Sequence, residues 1–239
     1  MKRHRPADAR VPGARGAAGW SGGWWLGAAR RASPHRDARP RGARRGEVTL
    51  AVLHSISLPP GDFGGDAVER LFAGTLDCDA HPYFDRLRGL RVSAHFFVRR
   101  GGGVLQFVSV RRRAWHAGAS SWRGRARCND FSVGIELEGL EGGPFDAAQY
   151  RALARLLHAL ARRCPRLREI TGHEHVAPGR KRDPGAGFDW RRLASRLART
   201  ASGATRLALH PDVAPKAGRG AGHGRGRPRR ESPRIRGKH

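Results

Sequence analysis

Residues 48–56, Val48-Thr-Leu-Ala-Val-Leu-His-Ser-Ile56, form a short apolar run that ends just before the turn chemistry of Pro59-Pro60-Gly61. Apolar side chains occupy odd and even positions alike. Such a run reads as a β-strand covered on both faces, which places it centrally in a sheet. The remaining periodicities arrange themselves around it. Val92–Arg100 passes through Gly101-Gly102-Gly103 into Val104–Val110, two β-rich runs joined as a hairpin. Phe131–Gly139 alternates, with Phe131, Val133, Ile135 and Leu137 on one face and Ser132, Gly134, Glu136 and Glu138 on the other. Two carboxylates on one side of a strand are costly unless that side is wet or binds a cation, and the alternation does not choose between them. Helices are predicted over 66–74, with Asp66 as N-cap and Gly74 at the end, over 146–163, and over 189–197. The second carries Tyr150, Leu153, Leu157 and Leu160 on one face, leaves His158 on the surface and stops at Cys164-Pro165.

A strand at Glu169–Thr171 delivers the chain to the segment richest in chemistry, Thr171–Gly185. It holds His173, His175, Lys181 and Asp183 between the structure breakers Pro178, Gly179, Pro184 and Gly185, so these groups are expected on a bend rather than along a helix. Imidazole and carboxylate ligands suit zinc, and a catalytic zinc takes three protein ligands and one open position. A third ligand must then come from elsewhere, and His54 in the central strand is the best donor. The same residues also fit an ordinary polar loop.

The length of 239 residues suits one domain with tails. Much of the formal net charge of +27 sits in residues 1–45 and 203–239, which are dense in Arg, Gly, Ala and Pro. Residues 1–22 read as a disordered basic extension, 23–200 as the folded domain and 203–239 as a disordered tail too poor in large apolar groups to fold alone. A basic excess suits nucleic acid or membrane surfaces. The C-terminal basic run interleaves no stacking aromatics, so nucleic-acid binding is not expected beyond weak non-specific contact through the tails. Cys78, Cys128 and Cys164 form no CxxC pair, which argues against a disulfide framework or a thiolate zinc site and favours a reducing compartment. No apolar h-region follows Met1, and no run approaches the about 20 apolar residues of a membrane span. A cytoplasmic location is the expectation.

Several short pieces, taken in order, resemble the AmpD-type N-acetylmuramoyl-L-alanine amidases, which cleave 1,6-anhydro muropeptides. They are Trp25-Leu-Gly-Ala, Ser33-Pro-His, Val52-Leu-His-Ser-Ile-Ser-Leu-Pro-Pro-Gly, His81-Pro-Tyr-Phe, Leu90-Arg-Val-Ser-Ala-His, Arg113-Ala-Trp-His-Ala-Gly, Arg127-Cys-Asn-Asp-Phe-Ser-Val-Gly-Ile-Glu-Leu-Glu-Gly and Gly185-Ala-Gly-Phe-Asp-Trp. Singly each is weak; in register over residues 23–195 they are specific. The resemblance implies an α/β fold, a single domain with a mixed central sheet flanked by helices, similar to peptidoglycan-recognition and T7-lysozyme-like amidases. It implies Zn²⁺ held by His54, His173 and Asp183, catalysis by Glu136, and Lys181 beside the metal. Arg91 and Arg127 match positions that would grip the carboxylates of a muropeptide, and Trp115 would pack against sugar or peptide. His116 is expected behind the metal ligands and His95 in a packed structural role. The loops at 57–65 and 78–90 are candidates for a lid.

The chain departs from the family pattern at Ser55, where Asn is usual, and at Glu174-His175, which leaves His175 as a competing ligand. The implied function is hydrolysis of the amide between the lactyl group of muramic acid and L-alanine, in cell-wall recycling, with no obligate protein partner. Two other readings are a non-catalytic peptidoglycan-binding module of the same fold and a nucleic-acid protein using its arginine-rich tails.

Overall fold

A computed structural model describes residues 19–40, 47–199 and 207–209. Seven strands form the central sheet: β1 (Ala29–Arg30), β2 (Leu50–Ile56), β3 (Phe96–Val98), β4 (Val104–Gln106), β5 (Ser132–Glu138), β6 (Glu169–Gly172) and β7 (Ala208–Leu209). Their spatial order is β7-β6-β2-β5-β3-β4-β1. The run from β7 to β3 is parallel, β3 and β4 pair antiparallel as the predicted hairpin, and β1 lies parallel to β4. This is the expected mixed sheet, with β2 and β5 at its centre and both buried along most of their length.

Helices cover both faces, as a sheet of this composition requires. They are α1 (Ala67–Ala73), α2 (Ala147–Arg163), the short α3 (His173–Val176) and α4 (Trp190–Arg199). On one face, Ala51, Leu53, Val133, Ile135 and Leu137 meet Tyr150, Leu153, Leu157 and Leu160 of α2 and Leu193 and Leu197 of α4. Opposite, Phe97, Leu105 and Phe107 pack on Val68, Leu71 and Phe72 of α1. The start of α2 is fixed by a capping box, in which Asp146 and Gln149 satisfy each other's backbone N–H groups. Gly74 closes α1 in the left-handed conformation.

Three sequence expectations need correction. Trp20–Ser21, assigned to the unstructured extension, forms a ribbon with Trp24–Trp25, because Trp20 packs edge-on against Phe96. Ala208–Leu209, assigned to the tail, adds β7 to the sheet edge beside β6. His158 is half-buried rather than on the surface, because α2 packs against α4. The expectations for residues 1–18 and for most of 203–239 lie outside the described residues. Among the described residues no helix is long and apolar enough to cross a membrane, and all three cysteines are free.

Candidate metal centre

The register of three adjacent parallel strands builds the site. Glu136 on β5 is the Cα partner of His54 on β2. On the other side of β2, Gly172 of β6 pairs with Leu53, so the next residue, His173, comes level with His54. Side-chain alternation sends Glu136 and His54 to the face opposite α2. The three residues thus stand side by side at the carboxyl ends of parallel strands, where α/β sheets usually bind their ligands.

His173 opens α3, so it and His175 sit on a helical turn and not on the extended bend expected for 171–185. That geometry removes the argument for His175 as a ligand, since residues two apart on a helix face different ways. Asp183 returns to the site because the Glu174 N–H donates to the Asp183 carbonyl at 3.0 Å, closing the intervening loop.

His54 Nδ1, His173 Nδ1 and Asp183 Oδ2 converge, at 2.9 Å between the two nitrogens and at 3.2 and 3.1 Å from each nitrogen to the oxygen. All three residues are buried. His173 Nε2 faces the Ala117 carbonyl at 3.3 Å. A carbonyl only accepts, so that nitrogen holds the proton and Nδ1 presents a lone pair to the other two groups. Lone pairs crowded this closely make a group that could hold a cation. Ligand atoms on a tetrahedral zinc with bonds of about 2.0 Å lie roughly 3.3 Å apart, so the spacing fits such an ion.

The electrostatics agree. Burial lowers the His54 pKa to about 4, against the opposing pull of Asp183, and keeps the ring neutral. Burial pushes the Asp183 carboxyl up, but its close contacts with the His173 and His54 rings outweigh this and hold the group below the usual carboxylate range. Both are the protonation states a metal ligand needs.

Glu136 differs from its neighbour Glu138 in one decisive respect. Glu138 is fully engaged: Oε1 accepts from the Gly64 N–H and from Arg99, and Oε2 from the Arg100 N–H. Glu136 Oε2 is buried with no hydrogen-bond partner. Burial, followed by the negative charge of Asp183, raises the Glu136 pKa well above the carboxylate range, while Lys181 opposes this.

These groups line a cleft of about 660 Å³. Lys181 stands exposed on its wall, with Arg180 and Arg182 on either side. The apolar lining of the cleft comes from Leu58, Tyr83, Leu87, Leu90 and Trp115. The loops at 57–65 and 78–90 therefore do flank the cleft. The first is tied down by Glu138 and by Arg99 on the Gly65 carbonyl; the second contains a 3₁₀ turn at Pro82–Leu87.

Arg91 and Arg127 are not brought to this cleft. Arg91 lines a small hollow with His35 and Cys78, beyond the wall made by Leu87 and Leu90. Arg127 lies in another depression beside Pro40 and Arg125, paired with Asp130. The basic groups that do line it, Arg180 and Arg182, were missed because a basic chain offers no contrast by which to pick them out.

Sequence reasoning also missed the support behind the site. Arg39 donates to the carbonyls of Val110, Asn129, Asp130 and Ser132. The Asn129 side-chain oxygen accepts from the N–H groups of His116 and Ala117, fixing the segment behind His54 and His173. His116 lies against His54, with Nδ1 at 2.9 Å from Nε2 of that ring, and burial keeps its imidazole neutral. Gly134 makes room for it, because a Cβ there would lie 2.4 Å from the His116 ring. His95 is buried and accepts from the Gly134 N–H, as suits a packed structural group.

Residues 44–186 match the family model of N-acetylmuramoyl-L-alanine amidases. The chain is 52% identical over 171 residues to the 1,6-anhydro-N-acetylmuramyl-L-alanine amidase AmpD of Citrobacter freundii, covering 71% of this chain and 90% of that protein. Against the enzyme of the same name from Escherichia coli K12 it is 51% identical, covering 72% and 92%. A crystal structure of a selenomethionine derivative of AmpD superposes with a TM-score of 0.71 at 49% identity, covering 74% of this chain and 98% of that one.

Proposed function

This chain belongs to the N-acetylmuramoyl-L-alanine amidase family, and from that premise we propose that it hydrolyses the amide joining the lactyl group of 1,6-anhydro-N-acetylmuramic acid to L-alanine, with Zn²⁺ held by His54, His173 and Asp183. The reaction belongs to cell-wall recycling. A cytoplasmic setting is part of this proposal. The observation that carries the reading is the convergence of three buried ligand atoms next to a buried carboxylate oxygen with no partner, on the floor of one cleft.

When bound, zinc supplies Lewis acidity toward water and toward a carbonyl oxygen, making a nucleophile available at neutral pH. The remaining steps fall to the protein. An amide resists hydrolysis because its carbonyl is a poor electrophile and its nitrogen a poor leaving group. Glu136 Oε2 takes a proton from the attacking water and returns it to the nitrogen as the C–N bond breaks. A carboxylate held in water by ordinary hydration would be too weak a base; burial raises the proton affinity of this one toward that task. Lys181 offers its ammonium group to the oxygen on which negative charge accumulates. Trp115 and the apolar wall receive the uncharged parts of the muropeptide, and the basic wall of Arg180 and Arg182 its carboxylates.

The test is direct. The purified protein is incubated with a 1,6-anhydro muropeptide and the products are weighed by mass spectrometry. Release of the intact peptide with a free L-alanine amino group is expected, and Asp183→Ala should abolish both release and zinc retention. Binding without cleavage would favour the receptor reading.

A further inference from the structure

We infer that Ser132 and His116 are positioning residues that set the tautomer of His54, so that its Nδ1 lone pair is aimed at the metal before the metal arrives. The inference rests on the metal site read above.

The direction of each hydrogen bond follows from one fixed end. Ser132 Oγ donates to the Cys128 carbonyl at 2.6 Å. A carbonyl cannot donate, so the serine's only proton is used there. His116 Nε2 lies 3.2 Å from the same Oγ. Since that oxygen can now only accept, His116 carries its proton on Nε2. A neutral imidazole holds one N–H, so His116 Nδ1 is an acceptor. It faces His54 Nε2 at 2.9 Å, and His54 must therefore donate through Nε2. The second nitrogen of His54, Nδ1, is left with its lone pair toward His173 Nδ1 and Asp183 Oδ2.

The two ligand histidines are thus set in the same sense by different means. His173 is held by a backbone carbonyl directly. His54 is held by a carbonyl two side chains away. The geometry along this path is guarded. Ser132 is fully buried at the start of β5, Gly134 leaves space for the His116 ring, and Asn129 anchors the His116 backbone. Outer partners of this kind typically change metal affinity about ten- to hundred-fold when removed.

Two measurements on the full chain test this. In protein uniformly labelled with ¹⁵N, the imidazole nitrogen shifts report which nitrogen of His116 is protonated, with zinc bound and after chelation. The expected result is Nε2–H in both states; a proton on Nδ1 overturns the inference whatever the variant shows. Zinc affinity is then measured by competition with a chromophoric chelator, using zinc ion alone and no substrate. Ser132→Ala is expected to bind zinc at least ten-fold more weakly and to lose the single His116 tautomer. Ser132→Thr, which keeps the hydroxyl, should recover affinity relative to Ser132→Ala. Affinity and tautomer unchanged in Ser132→Ala would overturn the role assigned to the serine. If the parent protein binds no zinc, it is the metal reading that fails; the tautomer of His116 is still read separately.

Discussion

Glu136 and Glu138 stand two residues apart on one strand, and their surroundings differ: Glu136 Oε2 is buried without a hydrogen-bond partner and Glu138 is paired at both oxygens. Glu136→Gln keeps the shape but removes the base, so turnover should fall by about 10²–10⁴-fold, with one zinc still bound per chain by elemental analysis. Glu138 accepts three hydrogen bonds and is almost wholly buried. Glu138→Ala leaves the Gly64 and Arg100 N–H groups without this acceptor, while Arg99 keeps its pair with Glu69, and should cost about 1–3 kcal/mol of stability in urea unfolding. From alternation alone the two acids were indistinguishable, because hydrogen bonds to residues 38 and 74 positions away leave no local trace. The trio of His54, His173 and Asp183 was legible for a different reason: a loop rich in histidine and carboxylate and a lone histidine in the central strand stand out by their ligand chemistry, and the motifs around them match a family in order. The support behind them was not. Arg39, Asn129 and Ser132 are ordinary polar residues in sequence and acquire roles only when distant backbone carbonyls meet them. Gly134 is the sharpest case. Its missing Cβ is what admits His116, so Gly134→Ala should cost about 1–3 kcal/mol by overpacking and weaken zinc retention in the same competition assay.

Among the elements, β2, β5 and β6 do most to place the site, because parallel register sets Glu136, His54 and His173 abreast. A continuous apolar run announced β2 and alternation announced β5, but register between strands is a long-range property that local pattern does not encode. The same limit explains α3. Proline and glycine around 171–185 read as a bend, yet the Glu174 N–H to Asp183 carbonyl bond closes the loop and lets a single helical turn form. The long helix α2 was legible almost residue for residue, since its apolar stripe and its capping box are both local. Asp146→Ala removes the cap and the Arg100 ion pair. It should lower stability by about 1–2 kcal/mol, seen as a lower urea midpoint, and leave the zinc content intact because α2 lies on the face away from the site.

For the whole molecule, the polar groups at the centre make stability depend on pH. His95 is fully buried; burial, and then the charge of Arg39, put its pKa well below the ordinary histidine range. The unfolded chain binds a proton at this residue below about pH 6.5, and the folded chain does not. Stability therefore falls as pH drops from about 6.5 toward the depressed folded value, by about 1.4 kcal/mol per pH unit for this one group. Urea unfolding of the parent and of His95→Gln at several pH values should show a shallower slope in the variant. Composition spoke mainly of residues 1–45 and 203–239, where most of the +27 charge sits, whereas the proposed chemistry resides in a core whose signals were motif and pattern.

The central claim is that one divalent ion, held by two imidazoles and a carboxylate, is required for amide cleavage. It is tested by measuring zinc and peptide release together on the same preparations of parent protein and Asp183→Ala, before and after chelation. The expected result is one zinc per chain in the parent, lost together with peptide release on chelation and restored with it on adding zinc back, and neither in the variant. Full peptide release by metal-free parent protein, or one tightly held zinc in Asp183→Ala, would contradict it.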